Sequence, residues 1–144
     1  MTEKTGIGQD SHAFEEAPGK PLILAGIKLD HPIGLKGNSD ADVVLHSITN
    51  AISRITGSNI LGSVADQLWQ AGVTDSSNYL KLAIDDLEDW KISPIAIAIE
   101  CLKPRILPQI DSMKKNIAKL CHINKTDVGI TATSGEGLTT FGKG

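Results

Sequence analysis

Ile95-Ala96-Ile97-Ala98-Ile99 is the stretch whose alternation decides the fold. Side chains alternate across a strand, so the three isoleucines share one face and the two alanines the other. A strand apolar on both faces has to be covered twice: the isoleucine face suits helices, and the alanine face admits another sheet or subunit at close range. Both flanks supply the cover. Beyond Pro104 and Pro108, Ile110 to Leu120 has helical spacing, and Val128 to Thr133 reads as a further strand. Before it, Leu80, Ala83, Ile84 and Leu87 predict a helix opened by Ser76 or Ser77, with Trp90 just past its end. Earlier still, Val44, Ile48, Ala51 or Ile52, and Ile55 recur at steps of three and four. That helix is expected to start from Ser39 or Asp40 as its cap and to end at Thr56 and Gly57.

The remaining segments are shorter. Gly6 to Ala13 alternates and reads as the first strand, and Leu22 to Ala25 can pair with Ile27 to Leu29 as a hairpin. His31 to Asn38 is a loop, Ser58 to Thr74 is less regular, and Ser134 to Gly144 is a tail loop with four glycines. The order of elements predicts an α+β fold, or α/β sandwich: one mixed sheet covered by helices, in a single domain over residues 1–144. A tail that closes on no element suggests a truncated end, or a disordered one left out of the sequence.

Composition narrows the function. With 40% hydrophobic and 22% charged residues the chain is of the globular class, and aromatics make up only 3%, so its core is aliphatic. A net charge of -3 gives no electrostatic footprint for nucleic acid or an anionic membrane, so a polyanionic ligand would have to be neutralised by metals and backbone N–H groups. Cys101 and Cys121 lack paired spacing and read as buried free thiols. No segment approaches the roughly 18 apolar residues of a membrane span, and no signal peptide is evident, so a cytoplasmic location is expected.

The chemistry concentrates at three places. On the first strand Asp10 and His12 lie two apart, which sets a carboxylate and an imidazole side by side. On the first helix Asp42, His46 and Asn50 form a polar stripe at steps of four, in which Asp42 could equally just hold His46 as an i, i+4 pair. Asp10, His12 and His46 together have the ligand types of a catalytic zinc that keeps a position open. Thr133, Ser134, Gly135 and Glu136 follow a strand with hydroxyls, free N–H groups and a carboxylate, a set that can hold phosphate and a hard metal bound to it. His31 and His122 have no carboxylate partner in view and read as surface residues.

The runs GIGQDSHAF (residues 6–14), GNSDADVVLH (37–46), KPRILP (103–108) and TATSGEGLTTFGKG (131–144) resemble the 2-C-methyl-D-erythritol 2,4-cyclodiphosphate synthase family of the non-mevalonate isoprenoid pathway. The resemblance implies a homotrimer with active sites between neighbouring subunits. It implies a CDP-linked methylerythritol substrate whose own phosphate attacks the β-phosphorus, releasing CMP. One Zn2+ per subunit would sit on Asp10, His12 and His46, and Glu136 would hold a second divalent ion, Mg2+ or Mn2+, through the substrate phosphates. Asn38 and Ser134 match the transition-state stabilisers, with Ser11, Ser39, Thr133 and Gly135 beside them in the substrate contact. Cys101, Arg105, Ile106 and Leu107 match the cytidine pocket, and Lys143 a basic residue near the trimer axis.

Four departures stand out. Asn38 occupies a position where many members have histidine, and Asn50 replaces an acid one turn beyond His46. Ile60 falls where an acid commonly grips the ribose, although Gly62 keeps the family's glycine. The following stretch, SVADQLWQAGVTD, is divergent and leaves Asp66 as the candidate replacement carboxylate. A noncatalytic metal-binding module of the same fold is the competing reading these departures motivate. A metal-dependent phosphohydrolase is a third, but the H-E-x-x-H motif of a zinc hydrolase is absent.

Overall fold

In the computed structural model, which describes residues 2–144, the strongest helical pattern becomes helix α1, Val43–Thr56. Its cap is Asp42, beyond both expected residues, and its carboxylate accepts from the N–H groups of Val44 and Leu45. The same carboxylate takes the N–H of Ala25 at 2.9 Å and of Gly26 at 2.6 Å. Those two residues form the turn of the expected hairpin, β1 (Leu22–Leu24) with β2 (Ile27–Leu29), paired antiparallel from Leu22↔Leu29 to Leu24↔Ile27. Both turn residues have positive φ, 55° and 74°, which matches the twist of the strands they join. Asp42 is fully buried and so fastens hairpin to helix from inside. Its carboxylate caps the helix, and His46 meets Asp42 through the backbone, His46 N–H to Asp42 O at 2.9 Å.

The chain, read above as one domain over residues 1–144, packs as two compact units, Met1–Lys91 and Ile92–Gly144. In the first, Leu45, Ile48 and Ile52 of α1 are buried, as are Tyr79, Leu80 and Ala83 of α3, Ser76–Asp85. Each such aliphatic side chain contributes about 1.5–3 kcal/mol of burial. The stretch between the two helices, expected to be irregular, holds a wide turn at Ile60–Val64 and a short helix α2, Ala65–Gln70.

Gly6 to Ala13 forms no strand. Only an isolated antiparallel bridge, Phe14↔Leu35, follows it, flanked by Glu15 N–H to Gly34 O and Lys36 N–H to Ala13 O, both 2.8 Å. Its glycines lie instead against the backbone of α1: a Cβ on Gly8 would stand 1.8 Å from Ser47 O. Gly8→Ala should therefore push this segment off the helix at a cost of about 3 kcal/mol, read as a lowered denaturation midpoint. His31, expected at the surface, is half-buried, with its ring edge-on to that of Phe14 and the two centroids 5.6 Å apart. His122 is exposed, as expected.

In the second unit, β3 (Ile95–Glu100) and β4 (Val128–Thr133) pair parallel, Ile95 with Val128 through to Glu100 with Thr133. A parallel pair needs a crossover, and helix α4, Ile110–Cys121, lies within it. Paired residues share a face, so the isoleucines join Val128 and Ile130 on the side buried with Met113, Ile117 and Cys121 of α4. Ala96, Ala98, Gly129 and Thr131 form the other, exposed face. Instead of one mixed sheet, then, the described residues carry two separate two-stranded sheets in an α+β arrangement. The tail is not wholly loop: a tight turn at Gly135–Gly137 leads to α5, Thr140–Lys143. Cys121 is buried and its thiol is pushed up to about 12 by burial, while half-buried Cys101 is shifted the same way. No described helix is long and apolar enough to cross a membrane.

Candidate metal centre

Asp10 and His12 keep the same-side relation expected of them even though their segment joins no sheet. His46, one turn into α1 and 8% exposed, meets them from the helix. Asp10 Oδ2 stands 3.0 Å from His46 Nδ1 and 3.4 Å from His12 Nε2. One ligand atom from each of the three residues falls within 4.8 Å of the others. A tetrahedral ion with bonds of about 2.0–2.1 Å sets its ligands about 3.3 Å apart, so the two distances to Asp10 already have the right scale. Donor types and spacing thus fit a divalent cation with an open position. The His12 ring packs on Gly37, where a Cβ would come within 2.9 Å of its Cε1. Only glycine lets the imidazole lie there.

Asn50, the departure one turn past His46, has a local explanation. Its amide donates to Gln9 O at 3.2 Å, tying the residue before Asp10 to α1. An aspartate in its place would turn an acceptor toward that carbonyl. Asn50→Asp is expected to cost about 1–2 kcal/mol at neutral pH, seen as a drop of several degrees in thermal midpoint that shrinks under acid as the carboxyl gains a proton.

The three residues open on a cavity of about 460 Å³. Asn38, Ser39 and Asn50 line it beside the triad, and Gly62 and Asp66 line it from the wide turn and α2. Four expected contacts, Asn38, Ser39, Gly62 and Asp66, are therefore gathered around the candidate ligands, whereas Ser11 is exposed and outside the lining. Leu61, Ala65, Trp69 and Tyr79 complete the wall and went unassigned in the sequence. The signal for Trp69 was its rarity: the chain has two tryptophans, and this one is 42% exposed on a short helix. Tyr79 gives its O–H to Val73 O at 2.6 Å, and burial, with the charge of Asp40, pushes its phenol up. It stays protonated and serves as wall.

The other expected contacts belong to the second unit. In its phosphate-type loop Thr133 Oγ1 accepts from Gly135 N–H at 3.1 Å and Ser134 Oγ from Glu136 N–H at 3.4 Å, while Glu136 itself is exposed at φ 50°. Glu100, at the end of β3, accepts the hydroxyl of Thr139, which in turn caps α5. A Cβ on Gly135 would collide with that carboxylate, so the loop is seated on Glu100. Arg105, Leu107 and Lys143 are exposed, Cys101 is half-buried and Ile106 is buried.

The YgbB family model matches residues 3–144. The 2-C-methyl-D-erythritol 2,4-cyclodiphosphate synthase of Chlamydia felis is 50% identical over 98% of this chain and 82% of its own, and the enzyme of that name from Chlamydia caviae matches to the same extent. Among solved structures, the bifunctional IspDF from Campylobacter jejuni aligns with a TM-score of 0.85 and 31% identity, covering 96% of this chain and 38% of that one. The Plasmodium falciparum IspF, solved as a CDP complex, shares the fold at 23% identity and a TM-score of 0.81, over 96% of this chain and 86% of its own. With the family model spanning all but its first two residues, this chain belongs to the YgbB family.

Proposed function

We propose that the chain is a metal-dependent 2-C-methyl-D-erythritol 2,4-cyclodiphosphate synthase acting in isoprenoid precursor synthesis. The observation that carries the reading is the convergence of Asp10, His12 and His46 at a cavity also lined by Asn38, Ser39 and Asp66. Half-identity over nearly the whole chain to synthases of that name supports the same assignment.

The substrate in this reading is a CDP-linked methylerythritol that carries a 2-phosphate. An oxygen of that phosphate forms the new bond to the β-phosphorus, the bond to the CMP phosphate breaks, and CMP leaves with its electron pair. The nucleophile is already anionic, so no general base is required of the chain. A divalent ion on Asp10, His12 and His46, zinc in this reading, supplies Lewis acidity and offsets the diphosphate charge, which a chain of net charge -3 does not do by itself. Asn38 donates hydrogen bonds to phosphate without adding charge, and Asp66 accepts from sugar hydroxyls. Ser134 and the N–H groups of the Thr133–Glu136 turn bind phosphate, with Glu136 holding a second ion, magnesium or manganese. Cys101 and Arg105 to Leu107 face cytidine, and Lys143 lies at the axis of a homotrimer. The exposed small-residue face of β3 and β4 supports close association of copies. A cytoplasmic location goes with this reading.

The test is to incubate the protein with CDP-methylerythritol 2-phosphate, zinc and magnesium, following CMP by chromatography and the cyclic diphosphate by phosphorus NMR. Stoichiometric release of both is expected. Metal binding with no CMP would instead favour the noncatalytic module that Asn38 motivates, and oxygen taken from labelled water into the product would mark a hydrolase.

A further inference from the structure

We propose that Asp40 and Ser76 are positioning residues that fix the His46 ring so that Nδ1, and not Nε2, is its metal-binding atom. Neither residue lines the cavity, so both act through His46. Their sequence reading was as helix openers, which gives no hint of a shared task.

The hydrogen bonds run in one direction. His46 Nε2 lies 2.8 Å from Ser76 Oγ, and Ser76 is fully buried. The Ser76 hydroxyl donates to Asp40 Oδ1, and the Ser76 N–H donates to Asp40 Oδ2 at 3.0 Å. Asp40 is held in turn: its own N–H goes to Thr74 O at 2.9 Å, and its Oδ1 accepts from Asp42 N–H at 3.1 Å. A serine hydroxyl has one hydrogen, and a carboxylate can only accept it, so the serine oxygen must accept from His46 Nε2–H. A neutral imidazole protonated at Nε2 carries its lone pair on Nδ1. That lone pair faces Asp10 Oδ2 at 3.0 Å, a second acceptor. Two acceptors held at this separation call for a cation between them, which is the arrangement the relay enforces.

The relay thus does for His46 what a carboxylate does directly for many ligating histidines: it selects the tautomer and locks the ring. Here a serine is interposed, and the carboxylate anchors it by both hydroxyl and N–H. The joined segments are the loop before α1 and the first turn of α3, so the start of α3 is part of the ligand's mounting.

The proposal rests on Asp10, His12 and His46 being a metal site, and the experiment separates the two claims. Zinc affinity of the full chain is measured by competition with a chromophoric chelator for wild type, Ser76→Ala, Ser76→Thr and Asp40→Ala, with circular dichroism to verify folding. Ser76→Ala and Asp40→Ala are expected to weaken zinc binding about 10- to 100-fold, and Ser76→Thr, which keeps the hydroxyl, to recover most of the loss. Histidine-ring nitrogen NMR on the zinc-loaded wild type needs no variant: it should show His46 protonated at Nε2 and coordinated through Nδ1. Coordination through Nε2, or Ser76→Ala affinity within twofold of wild type, overturns the relay while leaving the metal site standing. Absence of zinc binding by the wild type overturns both.

Discussion

His46→Ala is expected to remove zinc binding and CMP release together. The side chain is buried, and both ring nitrogens are engaged, Nδ1 with Asp10 and Nε2 with Ser76. Truncation deletes the ligand that comes from the helix and leaves Asp10 and His12 as a two-ligand clip, too few to hold a divalent ion against water. A fall in affinity of three or more orders of magnitude, about 4 kcal/mol or more, is the expected scale. Chelator competition measures the first loss, and phosphorus NMR of the product the second. Turnover that survives the loss of zinc would overturn the proposed function. The variant should still fold, because the hydrophobic side of α1 and its cap at Asp42 are untouched.

Asp42→Ala carries the largest expected effect on stability. Its carboxylate receives four backbone N–H groups, two from the hairpin turn and two from the first turn of α1. Removing it strands these donors where little water reaches them, and the helix loses its cap. Loss of roughly 3–5 kcal/mol follows from the usual cost of unsatisfied buried donors together with a cap. That is a large part of the 5–15 kcal/mol typical of a whole domain. The pH dependence has a definite sign. Burial raises the Asp42 carboxyl from 3.8 to about 6 against the pull of its N–H donors, so the folded form binds this proton more readily than the unfolded form. The stabilisation from that proton is full below about pH 4 and is lost as pH rises through about 6. Relative to Asp42→Asn, which does not titrate, wild type should therefore lose denaturation midpoint between pH 4 and 7.

Several elements were legible because their physics is local. The three-and-four spacing from Val44 to Ile55 gave α1, the Ile/Ala alternation gave β3, and the adjoining apolar runs Leu22 to Ala25 and Ile27 to Leu29 gave the hairpin, in which Ala25 belongs to the turn and not to the strand. The candidate ligands Asp10, His12 and His46 were legible by type and spacing. Resemblance, not spacing, supplied their convergence. The first segment was misread because alternation says only that a chain is extended; Gly6 and Gly8 use that extension to press on α1 and leave no ladder. Ser39, Asp40 and Asp42 crowd the start of α1 with possible caps, and only the position of the hairpin turn selects Asp42. Ser76 comes thirty residues after His46, a separation that carries no periodic signal. The wall from Leu61 to Trp69 was hidden for another reason. A six-residue helix without a side-chain cap leaves almost no pattern.

Trp69 gives the cavity an optical consequence. The chain has only two indoles, one in the cavity wall and the other, Trp90, under the ammonium of Lys4 at 4.9 Å. Replacing Trp90 by phenylalanine leaves one tryptophan emitter, set in the wall beside Asp66 and half open to solvent. Ligand that displaces water from the cavity changes the surroundings of that emitter directly. The short helix α2 thereby carries an intrinsic fluorescent reporter, with which occupancy can be followed in real time without a label.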